Sequence, residues 1–173
     1  SNGKTYTAQL GATKGNDTLE GTANADLMLG EGGNDVLLGY GDNDILFGND
    51  SNDSLDGGAD NDTLVGGIGN DVLIGGSGND TYIYRMGDGN DTIQDVDNNG
   101  TILIWNKNGT PVNPSGHIGN YFRSSGQNEW ILLNSKPIKI THDSTWKIVF
   151  QDGGSIDLGN NFILVIRIFA EWF

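Results

Sequence analysis

Between residues 17 and 83 the large inward-type apolar residues come one at a time and nine residues apart: Leu19, Met28, Leu37, Leu46, Leu55, Leu64, Leu73 and Tyr82. Each stands two residues after an aspartate, in the unbroken series Asp17, Asp26, Asp35, Asp44, Asp53, Asp62, Asp71 and Asp80. The residue before the aspartate is Asn in seven of the eight (Ala25 is the exception), and the fourth residue after it is Gly in seven of the eight (Tyr84 is the exception), so the unit reads G-G-x-G-N-D-x-L-x. A fixed short period marks a repeat architecture, in which no unit buries its apolar side chain alone. Each unit divides into a six-residue turn rich in Gly, Asn and Asp and a three-residue strand whose middle side chain points inward. Two units make an 18-residue coil with a strand on each side, and coils stack at the strand spacing of about 4.8 Å.

This geometry predicts two columns of aspartates, Asp17, Asp35, Asp53 and Asp71 in one and Asp26, Asp44, Asp62 and Asp80 in the other. The ninth unit is altered: Tyr84-Arg85-Met86 replaces the double glycine and moves the next aspartate to Asp91. The outward positions of the second column (Leu27, Leu29, Ile45, Phe47, Thr63, Val65, Thr81, Ile83) carry no charge. Such a stripe predicts that this sheet is covered, by the C-terminal part or by a second copy.

After Gly100 the pattern changes to short apolar runs, Ile102–Trp105, Trp130–Leu133, Ile138–Thr141, Trp146–Phe150, Ser155–Leu158 and Phe162–Phe169, separated by polar loops. Asp152-Gly153 between two of them reads as a hairpin turn. The expected organisation is a roll over residues 1–100 and a small β-rich capping unit over 101–173.

Charge follows the same division. Residues 1–100 hold 18 acidic and 3 basic side chains and 21 of the 28 glycines; residues 101–173 hold 5 acidic, 6 basic and all four tryptophans. The net charge of −14 argues against nucleic acid or an anionic membrane as partner and favours a cation. With no cysteine there is neither disulfide nor thiolate ligand, and His117 and His142 are too few for a His-built metal site. The longest apolar run, Phe162–Ile166, is too short for a transmembrane segment, and an N-terminal secretory signal is not evident. No G-x-S-x-G elbow or H-E-x-x-H helix occurs, and the carboxylates form a periodic array in place of a catalytic pair, so the reading is not an enzyme.

Carboxylates stacked roughly 5 Å apart repel by about 3 kcal/mol at an effective dielectric near 20, so the columns call for a divalent cation between coils. Carboxylate and carbonyl oxygens in irregular loops suit calcium over magnesium or zinc. An alternative is an EF-hand loop at Asp95, Asp97, Asn99, Gly100 and Ile102; it fails at position 12, which is Asn106, and its flanks read as strand and turn.

The stretches GGIGNDVLI (66–74) and GGSGNDTYI (75–83) resemble the nonapeptide of the repeats-in-toxin (RTX) family, and GDGNDTIQD (87–95) resembles its terminating repeat. The resemblance covers residues 11–97. It implies an all-β fold, a right-handed parallel β-roll of nonapeptide repeats followed by a small β-rich C-terminal capping unit, in a large protein secreted by a type I system of a Gram-negative bacterium. It further implies that the eight periodic aspartates and Asp91 bind calcium together with turn carbonyls. The clearest are those of Gly66, Gly67, Gly69, Gly75, Gly76 and Gly78; Gly30, Gly33, Gly39, Gly41, Gly48, Gly57 and Gly58 take the corresponding places, and Asp42, Asp60 and Asp95 are additional candidates. About six or more ions are expected on this basis. The implied partners are calcium ions and the type I secretion machinery, with a non-cleaved export signal at the extreme C-terminus. The implied location is extracellular, with attachment to the cell surface open. The function implied is a module that stays disordered at low calcium and folds outside the cell. The alternative is a carbohydrate-binding or adhesive module, in which Lys107, Arg123, Lys136, Lys139, Lys147 and tryptophans hold an anionic glycan or host surface.

Overall fold

A computed structural model describes residues 7–8, 12–85, 87–97, 100–105, 122–126, 129–132, 139–142, 146–149 and 154–157. Its strands are β1 (Thr7–Ala8), β2 (Thr18–Glu20), β3 (Asp26–Leu29), β4 (Val36–Leu38), β5 (Ile45–Asp50), β6 (Ser54–Ala59), β7 (Thr63–Ile68), β8 (Val72–Ser77), β9 (Thr81–Arg85), β10 (Asn90–Gln94) and β11 (Thr101–Trp105). They are followed by β12 (Phe122–Gly126), β13 (Glu129–Leu132), β14 (Lys139–His142), β15 (Trp146–Val149) and β16 (Ser155–Asp157). No helix occurs among the described residues. Successive repeats alternate between two parallel sheets, as a β-solenoid requires. The order β1-β3-β5-β7-β9-β11 makes a six-stranded sheet, and β2-β4-β6-β8-β10 forms half of a ten-stranded one.

The register follows the nine-residue period. Leu19, Leu37, Leu55 and Leu73 pair in one sheet, and Met28, Leu46, Leu64 and Tyr82 in the other, each 18 residues apart. In the last coil the two inserted residues lengthen the step to 20, so that Ile93 follows Leu73 and Ile102 follows Tyr82. These inward residues are buried in a single core. One fully buried apolar side chain for every nine ordered residues is a thin core.

The C-terminal strands close this core at one end. β16 adds in parallel to β10, and β15, β14, β13 and β12 continue antiparallel from it. Ile148 and Ile156 are completely buried in the roll's core. The expectation that this unit covers the uncharged sheet is corrected: the described C-terminal strands join the edge of the other sheet. The physical reason is the edge itself, since β10 would otherwise leave a row of unpaired backbone groups, and the Ser155 amide bonds the Gly89 carbonyl at 3.0 Å. The outward Leu27, Leu29, Ile45, Phe47, Val65 and Ile83 are half-buried among their own neighbours. Phe122–Gly126 reads as a loop from its Ser and Gly content yet pairs with β13; the expected strand Phe162–Phe169 lies outside the described residues.

Candidate metal centre in the stacked turns

Each turn brings its aspartate inward at the start of a strand, where alternation buries it together with the apolar residue two places on. Asp26, Asp35, Asp44, Asp53, Asp62, Asp71, Asp80 and Asp91 are all at most 3 % exposed. Within each column, the backbone N–H of one aspartate donates to Oδ1 of the next. Asp17 donates to Asp35, Asp35 to Asp53 and Asp53 to Asp71, each at 2.8 Å, and Asp71 to Asp91 at 3.1 Å. In the second column Asp26 donates to Asp44 and Asp44 to Asp62 at 2.8 Å, and Asp62 to Asp80 at 3.0 Å. Oδ1 is thereby satisfied, whereas Oδ2 of Asp35, Asp44, Asp53, Asp62, Asp71 and Asp80 is buried with no hydrogen-bond partner. A buried carboxylate oxygen without a donor is costly unless a positive charge meets it.

The first glycine of each unit makes the room for that oxygen. A β-carbon on Gly30, Gly39, Gly48, Gly57, Gly66 or Gly75 would collide with Oδ2 of the aspartate five residues on. The carbonyls of Gly48, Gly57 and Gly66 lie against the same spaces at Gly30, Gly39 and Gly48. Carboxylate and carbonyl oxygens thus converge on one cradle per turn, a hard-oxygen donor set that fits calcium. Among the described residues no three His, Cys, Asp or Glu side chains cluster closely enough to hold a metal by themselves, so the backbone has to contribute ligands.

The opening turns differ. Thr13 donates its amide and hydroxyl to Asp17 Oδ2 at 2.6 and 2.8 Å, and Thr22 does the same for Asp26 at 2.6 and 3.0 Å. Threonine at the second turn position therefore supplies what the later turns lack.

Electrostatics follow the burial. Desolvation, opposed in part by the N–H bond to Oδ1, raises Asp35 above the ordinary carboxylate range and pushes Asp53 and Asp80 up to about 6 and Asp62 and Asp71 up to about 7. Asp91 is pushed up to about 8 by burial and by the neighbouring Asp71 carboxylate; Ile156 pairs with it on the far side.

The family model described as RTX calcium-binding nonapeptide repeat (4 copies) matches residues 12–46 and 47–82. The repeat block is an RTX array. RTX repeats bind calcium, and the cradles described above have the donors for it. Among solved structures, the chain is similar to extracellular lipase LipA from Serratia marcescens, with 13 % identity, a TM-score of 0.27, and coverage of 88 % of this chain and 37 % of the lipase chain. The chain therefore spans little more than a third of that lipase's length. No curated protein matches the chain.

Within the RTX array the glycines divide by task. Gly58, Gly67 and Gly76 at the second position, and Gly33 and Gly78 at the fourth, have positive φ; Gly30, Gly39 and the other first-position glycines do not. Gly41 has nothing within 4 Å of a virtual β-carbon. Asp42 and Asp60 stand on the rim, where the Asp42 amide donates to Asp60 Oδ2 at 3.3 Å. Among the candidate glycan contacts, Lys107, Lys136 and Trp172 lie outside the described residues, as do His117 and the C-terminal segment expected to carry an export signal.

The sequence period also marks Asn at the fifth position, for which sequence reasoning found no task. Its Oδ1 accepts the amide of the Asn one coil on: Asn16 from Asn34, Asn34 from Asn52, Asn52 from Asn70 and Asn70 from Asn90, at 2.7–3.1 Å. Asn43, Asn61 and Asn79 form the second ladder. These exposed bonds run opposite in sense to the aspartate bonds, so adjacent coils are clasped from both sides. Ser155 Oγ extends the first ladder to Asn90 at 2.9 Å.

Proposed function

We propose that this chain is a calcium-dependent folding module of a larger secreted protein, disordered where calcium is scarce and ordered by several calcium ions outside the cell. The observation that carries this reading is the series of six consecutive turns in which a buried Asp Oδ2 has no donor and faces a glycine-made space. Asp35, Asp44, Asp53, Asp62, Asp71 and Asp80 would hold the ions, with carbonyls such as those of Gly48, Gly57 and Gly66 completing the shells. Bound calcium would supply the positive charge that the columns lack, and ions bound only by the folded state stabilise it by mass action. Extracellular calcium modules bind with Kd of about 10⁻⁴–10⁻³ M, which places the transition between cytosolic and external concentrations. Type I export fits this account, because a chain disordered in the cytosol is threaded more easily than a folded one.

Counting ions on the whole chain by native mass spectrometry and titration calorimetry tests the reading. Several calcium ions should bind, with magnesium and zinc much weaker. Stoichiometric binding of magnesium or zinc in preference to calcium would overturn it.

A further inference from the structure

The last turn of the second column exchanges its two ends. Gln94 pairs with Ile74 and Thr101 with Thr81, so Asp95 stands where the preceding coil has Gly75, and Gly100 where it has Asp80. The regular turn reads glycine first and aspartate sixth; this one reads aspartate first and glycine sixth. The packing is exchanged in the same way. A β-carbon on Gly75 would collide with Asp80 Oδ2, and one on Gly100 would collide with Asp95 Oδ2. The same cradle is thus made again, with the carboxylate entering from the opposite end.

Three observations tie this turn to the coil below it. Asp80 is 1 % exposed and its Oδ2 has no hydrogen-bond partner. The Tyr82 hydroxyl lies against Gly75 beside that oxygen and donates to Asp95 Oδ2 at 3.3 Å. Tyr82 is also the one aromatic residue among the eight periodic inward positions, so a polar atom replaces methyl groups only where the carboxylate changes ends. Asp97 Oδ2 accepts the Gly78 amide at 2.9 Å and anchors the last turn on the one beneath.

We infer that Asp80, Tyr82 and Asp95 form a closing divalent-cation site, with the upper carboxylate delivered from the first turn position. It rests on the reading of the columns as calcium sites and extends them by one site of reversed polarity. Two carboxylates and a hydroxyl again form a hard-oxygen set. The motif that imitates an EF-hand loop in the sequence is accounted for here, since β11 follows Gly100 as a parallel strand and not a helix.

The test uses calcium alone on the full chain, with bound ions counted by native mass spectrometry and affinities measured calorimetrically. Asp95→Asn should bind one ion fewer than the parent and leave the other steps unchanged. Tyr82→Phe should weaken that same step by about tenfold, the scale of losing a supporting polar group. The double exchange Asp95→Gly with Gly100→Asp restores the ordinary polarity and should regain the parent's count. Retention of the parent's count and affinities by Asp95→Asn would overturn the inference while leaving the columns intact, whereas a parent that binds no calcium would remove the columns themselves. If Asp95→Asn does not fold in calcium, Tyr82→Phe decides: weakening of a single step supports the closing site, and the parent's affinities at every step refute it.

Discussion

The coils spanning residues 57–83 and those spanning residues 30–56 have the same backbone and different residues. In the later coils the second turn position is Gly58, Gly67 and Gly76, with φ of 104°, 104° and 94°. In the earlier ones it is Glu31, Tyr40 and Asn49, still at 72°, 77° and 78°. Asp42, Ser51 and Asp60 likewise hold positive φ at the fourth position. The first position remains glycine throughout: Gly30, Gly39, Gly48, Gly57, Gly66, Gly75. The left-handed conformation is thus imposed by the stack and tolerated by other residues at a cost, whereas the first glycine is required for volume, because an aspartate oxygen fills the place of its β-carbon. The first glycine leaves room for the aspartate oxygen, while Gly58, Gly67 and Gly76 combine a positive φ with room for the Tyr40, Asn49 and Gly58 carbonyls one coil back.

The largest effect expected from this contrast is at a first-position glycine. Gly66→Ala would place its β-carbon 2.8 Å from Asp71 Cβ and Cγ and against Oδ2. It should cost about 3 kcal/mol of calcium-dependent stability, the upper range for overpacking, and raise the calcium midpoint correspondingly. Gly41→Ala, in open space at the third position, should change stability by less than about 0.5 kcal/mol. Denaturant titrations in saturating calcium compare the two, and equal losses would show that the first-position glycine is not required for volume.

Next in size is the difference between interior and opening aspartates. Asp71→Ala removes a buried carboxylate whose Oδ2 has no donor, while Asp17→Ala removes one already bonded by Thr13. Calcium affinity should fall strongly for the first and little for the second, as measured by calorimetry on the full chain.

Acidity gives a third test of the stack. Asp53, Asp62, Asp71, Asp80 and Asp91 sit between about 6 and about 8 in the folded chain, against about 3.8 ordinarily. A raised carboxylate means that the folded state binds more protons than the unfolded one. Without calcium, therefore, stability should increase as pH falls from about 8 towards about 4, the span between the raised and ordinary values. In calcium the sign reverses, because protons compete for the same oxygens and apparent affinity should drop over that range. Circular dichroism against pH, in chelator and in calcium, reads both slopes.

The smallest effect belongs to the tolerated positions. Tyr40, half-exposed at φ 77°, is held in a conformation that costs a non-glycine residue about 1 kcal/mol. Tyr40→Gly should thus raise the denaturation midpoint modestly in saturating calcium. A lower midpoint would show that the side chain contributes more than its backbone costs.

Much of this architecture is legible in the sequence because a nine-residue period specifies strand, column and inward face together. Leu19 to Tyr82 and Asp17 to Asp80 stand where the period places them. What escapes it depends on contacts between coils. The Asn ladder needs the 18-residue offset and the direction of each bond, neither carried by composition. Thr13 and Thr22 act on an aspartate four residues away, within turns that look merely imperfect. Asp95 and Gly100 look like a degraded repeat until the 20-residue register sets them over Gly75 and Asp80. The attachment of β16 to β10 rests on an edge that exists only once the roll has formed.

The central claim is that the aspartate columns cannot remain folded at neutral pH without calcium. Far-ultraviolet circular dichroism of the whole chain at pH 7.5, first in excess chelator and then through a calcium titration, tests it most directly. The account predicts a disordered spectrum in chelator and a cooperative change to β structure as calcium is added; a folded roll already present in chelator would contradict it.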